Sequence, residues 1–172
     1  MAEDIRYQRK CFYASAAYSE SFWGKFIYIY QGEGSLRLTA DSLLLQGRRQ
    51  AVEIPFRAVR SIGLSRFSSW AKPLGLTRLD VSYVRDGLLT KLHLVPYESV
   101  WDSTQATSEL VASWHETLGG IEELANRVEP PAFDPAAPSS TEKRNIVARF
   151  PFFLFSLAAI IMLLIGWLFA RP

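Results

Sequence analysis

Side chains that could do chemistry are few in this chain and lie far apart in its sequence. The chain has 172 residues, with two histidines, His93 and His115, and one cysteine, Cys11. A zinc site would need several Cys, His or acidic ligands at short spacing, and neither histidine has such neighbours. We therefore interpret both histidines as hydrogen-bonded structural residues and expect no metal and no other cofactor. Cys11 is interpreted as a buried structural thiol, because no local feature would lower its pKa.

The hydroxyl and carboxylate side chains form no recognisable catalytic set either. Ser65, Ser68 and Ser69 are clustered, but the sequence indicates no base beside them. Asp41 and the pair Glu122–Glu123 show no acid–base pattern. The chain also has no phosphate-binding glycine loop and no nucleophile elbow. We therefore expect a protein that is not an enzyme.

The segment 65–75 is the most unusual loop of the sequence. It places two aromatic residues, Phe67 and Trp70, beside two cations, Arg66 and Lys72. Aromatic rings with flanking cations suit the headgroup layer of an anionic membrane. They equally suit a protein interface, where Trp and Arg are favoured anchors. A third interpretation is that both rings turn inward and cover the sheet, and the three alternatives stay open.

The elements that must position these residues are mostly short strands. Apolar and polar residues alternate in several runs between 26 and 96, and turn residues separate these runs. Residues 7–18 are a further candidate strand. The dipeptide Asp86-Gly87 between two alternating runs predicts a tight hairpin. Because alternation leaves one face buried and one wet, we expect an antiparallel sheet.

A helix is predicted after residue 100, where the apolar period changes to three and four residues. One of the polar residues 102–104 can cap its start, and Gly119–Gly120 should end it. A shorter helical turn is expected over 121–128. The apolar stripe of the helix consists of Leu110, Val111, Trp114, Leu118 and Ile121.

The strongest feature of the chain is an apolar run at its C-terminal side, from Phe150 to Ala170. These 21 residues carry no charge, and Ser156 is their only hydroxyl. As a helix they would span about 31 Å, close to the hydrocarbon thickness of a bilayer. A surface helix would need a polar face, so we predict a transmembrane helix over 150–170. Positions that mark this predicted span are Phe150, Phe153, Leu157, Ile160, Leu164 and Trp167.

The charges beside the run predict its orientation. Lys143, Arg144 and Arg149 precede it, whereas only Arg171 follows it closely. Basic residues near a span tend to stay on the cytoplasmic side. We therefore expect a tail-anchored, single-pass protein of the cytoplasmic (inner) membrane, with the N-terminal domain in the cytoplasm.

Composition sets the domain boundaries. Residues 129–142 contain four prolines among small and polar residues, which is typical of a linker. We expect one domain over 1–128 with a core over about 26–128. The linker and basic juxtamembrane segment over 129–149 follow it. The net charge is only +2 and the basic residues are scattered, so no nucleic-acid partner is expected.

Several apolar, glycine and proline positions between 36 and 83 form a recognisable pattern. They are Leu38-Thr39 before a turn, Gly47, Ile54-Pro55, Val59, Ser61-Ile62, Leu74-Gly75-Leu76 and the strand Leu79–Tyr83. This pattern resembles bacterial pleckstrin-homology (PH-like) domains, and the likeness covers about residues 26–128. It implies a mainly β fold, a seven-strand, two-sheet barrel or sandwich capped by a C-terminal amphipathic helix, to which the sequence adds one transmembrane helix.

The resemblance also bears on partners. Eukaryotic phosphoinositide-binding relatives use a Lys/Arg pattern around the first hairpin, but here the hairpin has Glu33 and no lysine. No specific phosphoinositide is therefore expected. Common bacterial members also carry their membrane helices before the domain, unlike this chain.

These features together favour a noncatalytic role at a membrane. We expect a membrane-anchored scaffold, or an accessory or assembly subunit of a larger membrane complex. It would bind the lipid bilayer and other membrane proteins. The alternative is a peripheral module that binds anionic lipid through the 66–72 loop.

Overall fold

The computed structural model describes residues 6–21, 30–48, 51–67, 76–133 and 160–162. Its strands are β1 (Tyr7–Ser15), β2 (Gly32–Leu38), β3 (Ser42–Gly47), β4 (Ala51–Pro55), β5 (Val59–Arg66), β6 (Thr77–Arg85) and β7 (Leu88–Tyr97). Its helices are α1 (Ala16–Glu20), α2 (Thr104–Gly119) and α3 (Glu122–Ala125), with a 3₁₀ turn at Phe56–Ala58 between β4 and β5. The expected mainly β fold is thus confirmed.

The seven strands form one antiparallel sheet in the order β4-β3-β2-β1-β7-β6-β5. The resemblance implied two sheets, but β1 joins the two halves by pairing with β2 on one side and β7 on the other. The candidate strand over 7–18 is confirmed for residues 7–15, which form β1 at the centre of the sheet, whereas residues 16–18 belong to α1. The folded core therefore begins well before residue 26.

The sheet buries one face against α2, and we call this face the inner face and the opposite one the outer face. Helix α2 packs against β6 and β7, and the Tyr7 ring of β1 lies 4.8 Å from that of Trp114. Strand alternation places apolar side chains on the inner face. Fully or almost fully buried inner-face residues include Cys11, Tyr13, Leu36, Leu45, Leu79, Val81, Leu92 and Leu94.

Helix α2 follows the expected stripe and caps. Ser103 is its N-cap, and the Ser103 hydroxyl accepts a hydrogen bond from the Ala106 backbone N–H at 3.0 Å. The helix ends at Gly119–Gly120, and α3 follows at once. Val111, Trp114 and Leu118 of the stripe are completely buried, so the predicted amphipathic helix is confirmed.

The predicted hairpin at Asp86-Gly87 is also confirmed. Asp86 has φ of 52° and Gly87 has φ of 78°, so both central residues are left-handed. Two consecutive positive φ angles are the mark of a type I′ turn, which matches the twist of paired strands.

A close contact between the backbones of β2 and β3 leaves no room for a side chain at Gly34. A Cβ on Gly34 would lie 2.5 Å from the Gln46 carbonyl oxygen and 2.8 Å from the Gly47 Cα. Backbone atoms inside a sheet cannot move aside cheaply, so Gly34→Ala is expected to destabilise the fold by about 1–3 kcal/mol. Urea unfolding of the full chain in mild detergent, followed by circular dichroism, measures this.

The matched control is Gly63→Ala on β5. There the nearest atom to a new Cβ would be Oε2 of the flexible Glu129 side chain, at 3.1 Å. We expect a change within about 0.5 kcal/mol. Equal losses at the two positions would contradict the backbone contact as the cause.

After α3 the chain is fixed to the free edge of β5. The Ile62 N–H donates to the Arg127 carbonyl at 2.8 Å, and the Glu129 N–H donates to the Ile62 carbonyl at 2.7 Å. The Arg127 guanidinium also donates to the carbonyls of Phe56 (2.5 Å) and Val59 (3.0 Å). This edge contact extends the folded domain to residue 129, where a linker was expected to begin.

Of the apolar run, the structure describes only Ile160–Met162, which are helical. Within the described ranges, no helix is both long and apolar enough to cross a bilayer. The predicted span positions Phe150, Phe153, Leu157, Leu164 and Trp167 lie outside the described residues, as do Lys143, Arg144 and Arg149.

Candidate functional site

The densest cluster of ionisable side chains lies on the outer face of β5, β6 and β7. Asp80 of β6 stands directly opposite His93 of β7 in the strand register. Arg78 lies two residues before Asp80 on the same face, and it stands opposite Ser65 of β5. Lys91 lies two residues before His93. Strand alternation and register therefore bring these five residues together, although up to 28 positions separate them in the sequence.

Asp80 is the centre of this group, which we call the Asp80 network. Its Oδ1 accepts from His93 Nδ1 at 2.7 Å and lies 3.1 Å from Arg78 Nε. Its Oδ2 accepts from the Ser65 hydroxyl at 3.0 Å and lies 3.1 Å from Lys91 Nζ. Each carboxylate oxygen thus accepts one hydrogen bond and has one cationic nitrogen within 3.1 Å.

The network shifts the acidity of Asp80. Burial by itself would raise the pKa of the carboxyl group. The hydrogen bond from His93 and the charges of Arg78, His93 and Lys91 outweigh burial and lower the pKa from 3.8 to about 2. Asp80 is therefore a carboxylate at neutral pH.

A serine, a histidine and an aspartate occur together here, but not in the order of a catalytic triad. In a triad the histidine lies between the other two and takes the proton of the serine. Here Asp80 is in the middle, and the Ser65 hydroxyl donates to Asp80 while accepting from Arg78 Nε at 2.7 Å. The geometry ties three strands together and does not activate a nucleophile.

The second histidine has a structural position as well. His115 is 6% exposed on α2, and its Nε2 lies 3.0 Å from the Glu129 carbonyl oxygen. Burial lowers the pKa of His115 below its usual value. The folded state thus disfavours protonation of His115. The neutral imidazole contributes its full share of stability above the ordinary histidine pKa, and this contribution declines as pH falls below that value. Both histidines are hydrogen-bonded within the fold, as expected.

Cys11 is completely buried in β1, and burial raises the pKa of its thiol well above the usual range. The structure confirms it as a buried thiol. We expect the native full chain to react with an aromatic disulfide reagent at least about a hundredfold more slowly than the unfolded chain. A Gln105→Cys variant, with its new thiol on exposed helix surface, should react at once. Rapid labelling of native Cys11 would contradict its burial.

The other polar groups considered from the sequence lie apart from the Asp80 network. Asp41 accepts from the Thr39 hydroxyl at 3.2 Å in the turn between β2 and β3. Glu122 and Glu123 lie in the first turn of α3. In the ranges that the structure describes, no three His, Cys, Asp or Glu side chains are grouped as metal ligands.

An aromatic cluster covers part of the outer face. The Phe12 ring stacks on Tyr30 at 4.6 Å and on Tyr97 at 4.4 Å between centroids. The Tyr97 hydroxyl donates to the Glu33 carboxylate, and burial together with this bond raises the pKa of Tyr97 above its usual value. Glu33, which argued against phosphoinositide binding, thus takes part in the cluster.

The candidate interface residues divide between described and undescribed positions. Phe67 is 5% exposed, its ring meets Tyr30 edge-on at 6.2 Å, and the Arg78 guanidinium lies 5.0 Å from its centroid. The Phe67 ring is thus buried and covers the outer face of the sheet, as the third interpretation of the loop expects for it. Trp70 and Lys72 lie outside the described residues.

Arg66 lies at the same end of the sheet as Phe67. Its guanidinium is 4.2 Å from the centre of the Phe133 ring. Phe133 is the last described residue before the predicted linker continues. The residues from Glu129 to Phe133 therefore run from Ile62 towards the Arg66 end of β5.

Exposed apolar side chains mark one further surface, which the sequence reading missed. Leu88 and Leu89, just after the hairpin turn, are 72% and 71% exposed. Pairing between β6 and β7 continues to Arg85 opposite Leu88. Along a strand with one buried face, only one of two neighbouring residues is exposed. The signal that could have identified this surface was the pair of consecutive leucines directly after the Asp-Gly turn.

The hairpin extends beyond both flanking strands. The pairing of β1 with β7 stops at Leu92, and that of β5 with β6 stops at Tyr83. Residues 84–89, which we call the hairpin tip, therefore have no strand paired beside either edge in the described sheet. Both leucines lie in this projecting part of the hairpin.

Comparison with known proteins identifies no relative. No protein-family model, curated protein or solved structure matches the chain. Its function is therefore argued from its own residues.

Proposed function

We propose that this chain is a noncatalytic scaffold, or an accessory or assembly subunit, of a membrane protein complex. A PH-like β domain is held at the cytoplasmic face of the inner membrane by a transmembrane helix over 150–170. The domain binds the cytoplasmic parts of partner proteins, and the helix packs among their helices. The protein needs no cofactor for this role.

The observation that carries the proposal is the uncharged run of 21 residues from Phe150 to Ala170, joined to a folded β domain. Only residues 134–149 separate this run from Phe133. Even fully extended, these 16 residues reach about 55 Å, so the domain stays close to the membrane. The basic residues Lys143, Arg144 and Arg149 support a cytoplasmic domain.

The element order is the observation behind the PH-like proposal. Seven antiparallel strands, with the short α1 after β1, precede an amphipathic helix that packs on the inner face. The Asp80 network supports a noncatalytic role, since its carboxylate is held by two hydrogen bonds and two close cations. A scaffold needs a rigid domain, and a network that ties β5, β6 and β7 together supplies rigidity.

The experiment is purification of the full chain from native membranes in mild detergent. We expect the chain to resist alkaline carbonate extraction and to elute with a stoichiometric membrane protein. Ile160→Arg places a charge near the centre of the run and should release the chain from membranes, since that insertion costs about 3 kcal/mol. Ser156→Ala is the matched control and should leave the chain in place. Recovery of only a lone monomer under several conditions would contradict the proposal.

Anionic-lipid binding through the 66–72 loop is the second candidate function. One observation favours it, since the contact of Phe133 with Arg66 brings the start of the linker to the same end of the sheet as this loop. Trp70→Ala and Lys72→Glu should then weaken flotation of the chain with anionic liposomes. Flotation that neither substitution changes would remove this candidate.

A further inference from the structure

Three aspartates of this chain are directly followed by glycine or serine, and such pairs can undergo an intramolecular reaction. They are Asp41-Ser42, Asp86-Gly87 and Asp102-Ser103. A small following residue leaves its main-chain nitrogen accessible, so this nitrogen can attack the aspartate carboxyl carbon and close a succinimide ring. The attack requires a free carboxylate and a peptide unit that can rotate. The fold therefore decides which of the three pairs can react.

Two of the pairs are held by hydrogen bonds. The Asp41 carboxylate accepts from the Thr39 hydroxyl at 3.2 Å, and the Ser42 N–H donates to the same hydroxyl oxygen at 3.0 Å. The Asp102 carboxylate accepts from the Ser99 N–H at 2.7 Å, and the residue after Asp102 is the N-cap of α2. Ring closure at either aspartate would have to break these bonds, so the folded chain protects both.

The Asp86 carboxylate is far more accessible. It is 90% exposed, and the cation beside it is Arg85, with 3.7 Å between Nε and Oδ2. The Arg85 guanidinium also has a hydrogen bond with the Tyr83 side chain. An ion pair so exposed contributes little, so it does not restrain the carboxylate. At Gly87 the space that a Cβ would occupy is open, with no atom within 4 Å.

The attack also requires the turn to open briefly. Asp86 and Gly87 are both left-handed in the closed turn, and the Gly87 nitrogen must swing towards the Asp86 carboxyl group. The hairpin tip that holds the turn has no strand paired beside either edge, since neighbouring strands end at Leu92 and Tyr83. Exposed segments with few neighbours open at the lowest free energy. The turn can therefore open without unfolding of the domain.

We propose that Asp86 is a site of spontaneous isomerisation to isoaspartate, with water as the co-reactant. The Gly87 nitrogen bonds to the Asp86 carboxyl carbon, and the amide proton, one carboxylate oxygen and a solvent proton leave together as water. Water then adds to the main-chain carbonyl of the succinimide and breaks its bond to the Gly87 nitrogen. The main chain now runs through the former side-chain carbonyl. This inference is independent of the scaffold role.

The isomerisation would change the surface at the hairpin tip. In isoaspartate the backbone gains a methylene group, and a carboxylate stays as the side group, so the charge is kept. A two-residue type I′ loop matches the twist of its strands only with regular backbone spacing. The pairing of Arg85 with Leu88 is therefore loosened, and Leu88 and Leu89, which are 72% and 71% exposed, are displaced.

The test incubates the full chain in mild detergent and heavy-oxygen water, near neutral pH and at physiological temperature. Peptide mass spectrometry with electron-transfer fragmentation then distinguishes aspartate from isoaspartate. We expect isoaspartate at position 86 that carries a heavy oxygen from ring hydrolysis. A parallel incubation in urea gives each aspartate its own unfolded reference. Unfolding should accelerate the reaction at Asp41 and Asp102 at least about tenfold, and at Asp86 by much less.

Two variants test the mechanism. Asp86→Asn keeps a residue that tolerates positive φ. It should form the same ring faster, because the Gly87 nitrogen then displaces ammonia. Asp86→Glu is the charge-matched control and should form no detectable isomer, since its longer side chain would have to close a six-membered ring.

Four results would overturn the inference. The first is no isoaspartate at position 86 in the folded chain when the unfolded chain forms it. The second is isoaspartate without heavy oxygen, and the third is equal acceleration of all three aspartates by unfolding. The fourth is an Asp86→Asn variant that reacts no faster than the wild type.

Discussion

Replacing Asp80 with alanine is expected to destabilise the domain by about 3–5 kcal/mol. The substitution removes the acceptor of two hydrogen bonds and leaves the partly buried Arg78 guanidinium without its counter-charge. The cost falls mainly on His93, which loses its hydrogen-bond partner, and on Arg78; their side chains are 9% and 19% exposed. Urea unfolding of the full chain in mild detergent, followed by circular dichroism, gives the free energy of unfolding.

Two controls separate the charge of Asp80 from its shape and from its exposed partner. Asp80→Asn keeps an acceptor oxygen for His93 but loses the negative charge, so we expect a smaller loss, about 2 kcal/mol. Lys91→Met removes the most exposed donor, 45% exposed, and should cost less than about 1 kcal/mol. If Lys91→Met cost as much as Asp80→Ala, the interpretation of a buried centre would be wrong.

The same network predicts how stability changes with pH. The pKa of Asp80 is lowered from 3.8 to about 2 on folding, so the unfolded state binds the proton more readily. The stabilising effect is therefore complete above about pH 4 and is lost as pH falls towards 2. Its size is about 2 kcal/mol, at about 1.4 kcal/mol for each unit of pKa. The Asp80→Asn variant should lack this acid-dependent part, and an unchanged acid profile would contradict its assignment to Asp80.

Local sequence signals predicted the local structure well. The Asp86-Gly87 turn depends on two residues that tolerate positive φ, and the sequence names them directly. The stripe that includes Val111, Trp114 and Leu118 depends on helical periodicity alone. Both features are set within a few residues, so they could be identified without knowledge of the rest of the fold.

Features that depend on strand pairing could not be predicted in this way. Pattern alone did not place β1 at the centre, because its pairing with β7 joins residues about 80 positions apart. The Asp80 network needs the registers of two strand pairs at once, and a shift of one residue would move Asp80 to the inner face. The exposed Leu88 and Leu89 depend on where β1 and β5 stop, which is also a matter of register.

Replacing Trp114 with alanine is expected to be about as damaging as the loss of Asp80. Trp114 is completely buried, is the largest side chain of the inner core and lies against the Tyr7 ring at 4.8 Å. Truncation would leave a large cavity between α2 and the sheet, at a cost of about 3–5 kcal/mol. We expect the variant to unfold at much lower urea concentration than the wild type, or to lose cooperative unfolding.

The matched variant is Trp114→Phe, and it tests which part of the indole stabilises the domain. The Trp114 Nε1 is buried, and no described residue accepts a hydrogen bond from it. An unpaired buried donor costs about 1–3 kcal/mol, so removing it offsets part of the packing that the smaller ring loses. We therefore expect Trp114→Phe to cost less than about 1.5 kcal/mol, far less than alanine. A phenylalanine variant as unstable as the alanine variant would show that Nε1 has a partner in the folded protein. The indole would then be part of a hydrogen-bonded core and not simply a volume that fills the space beneath α2.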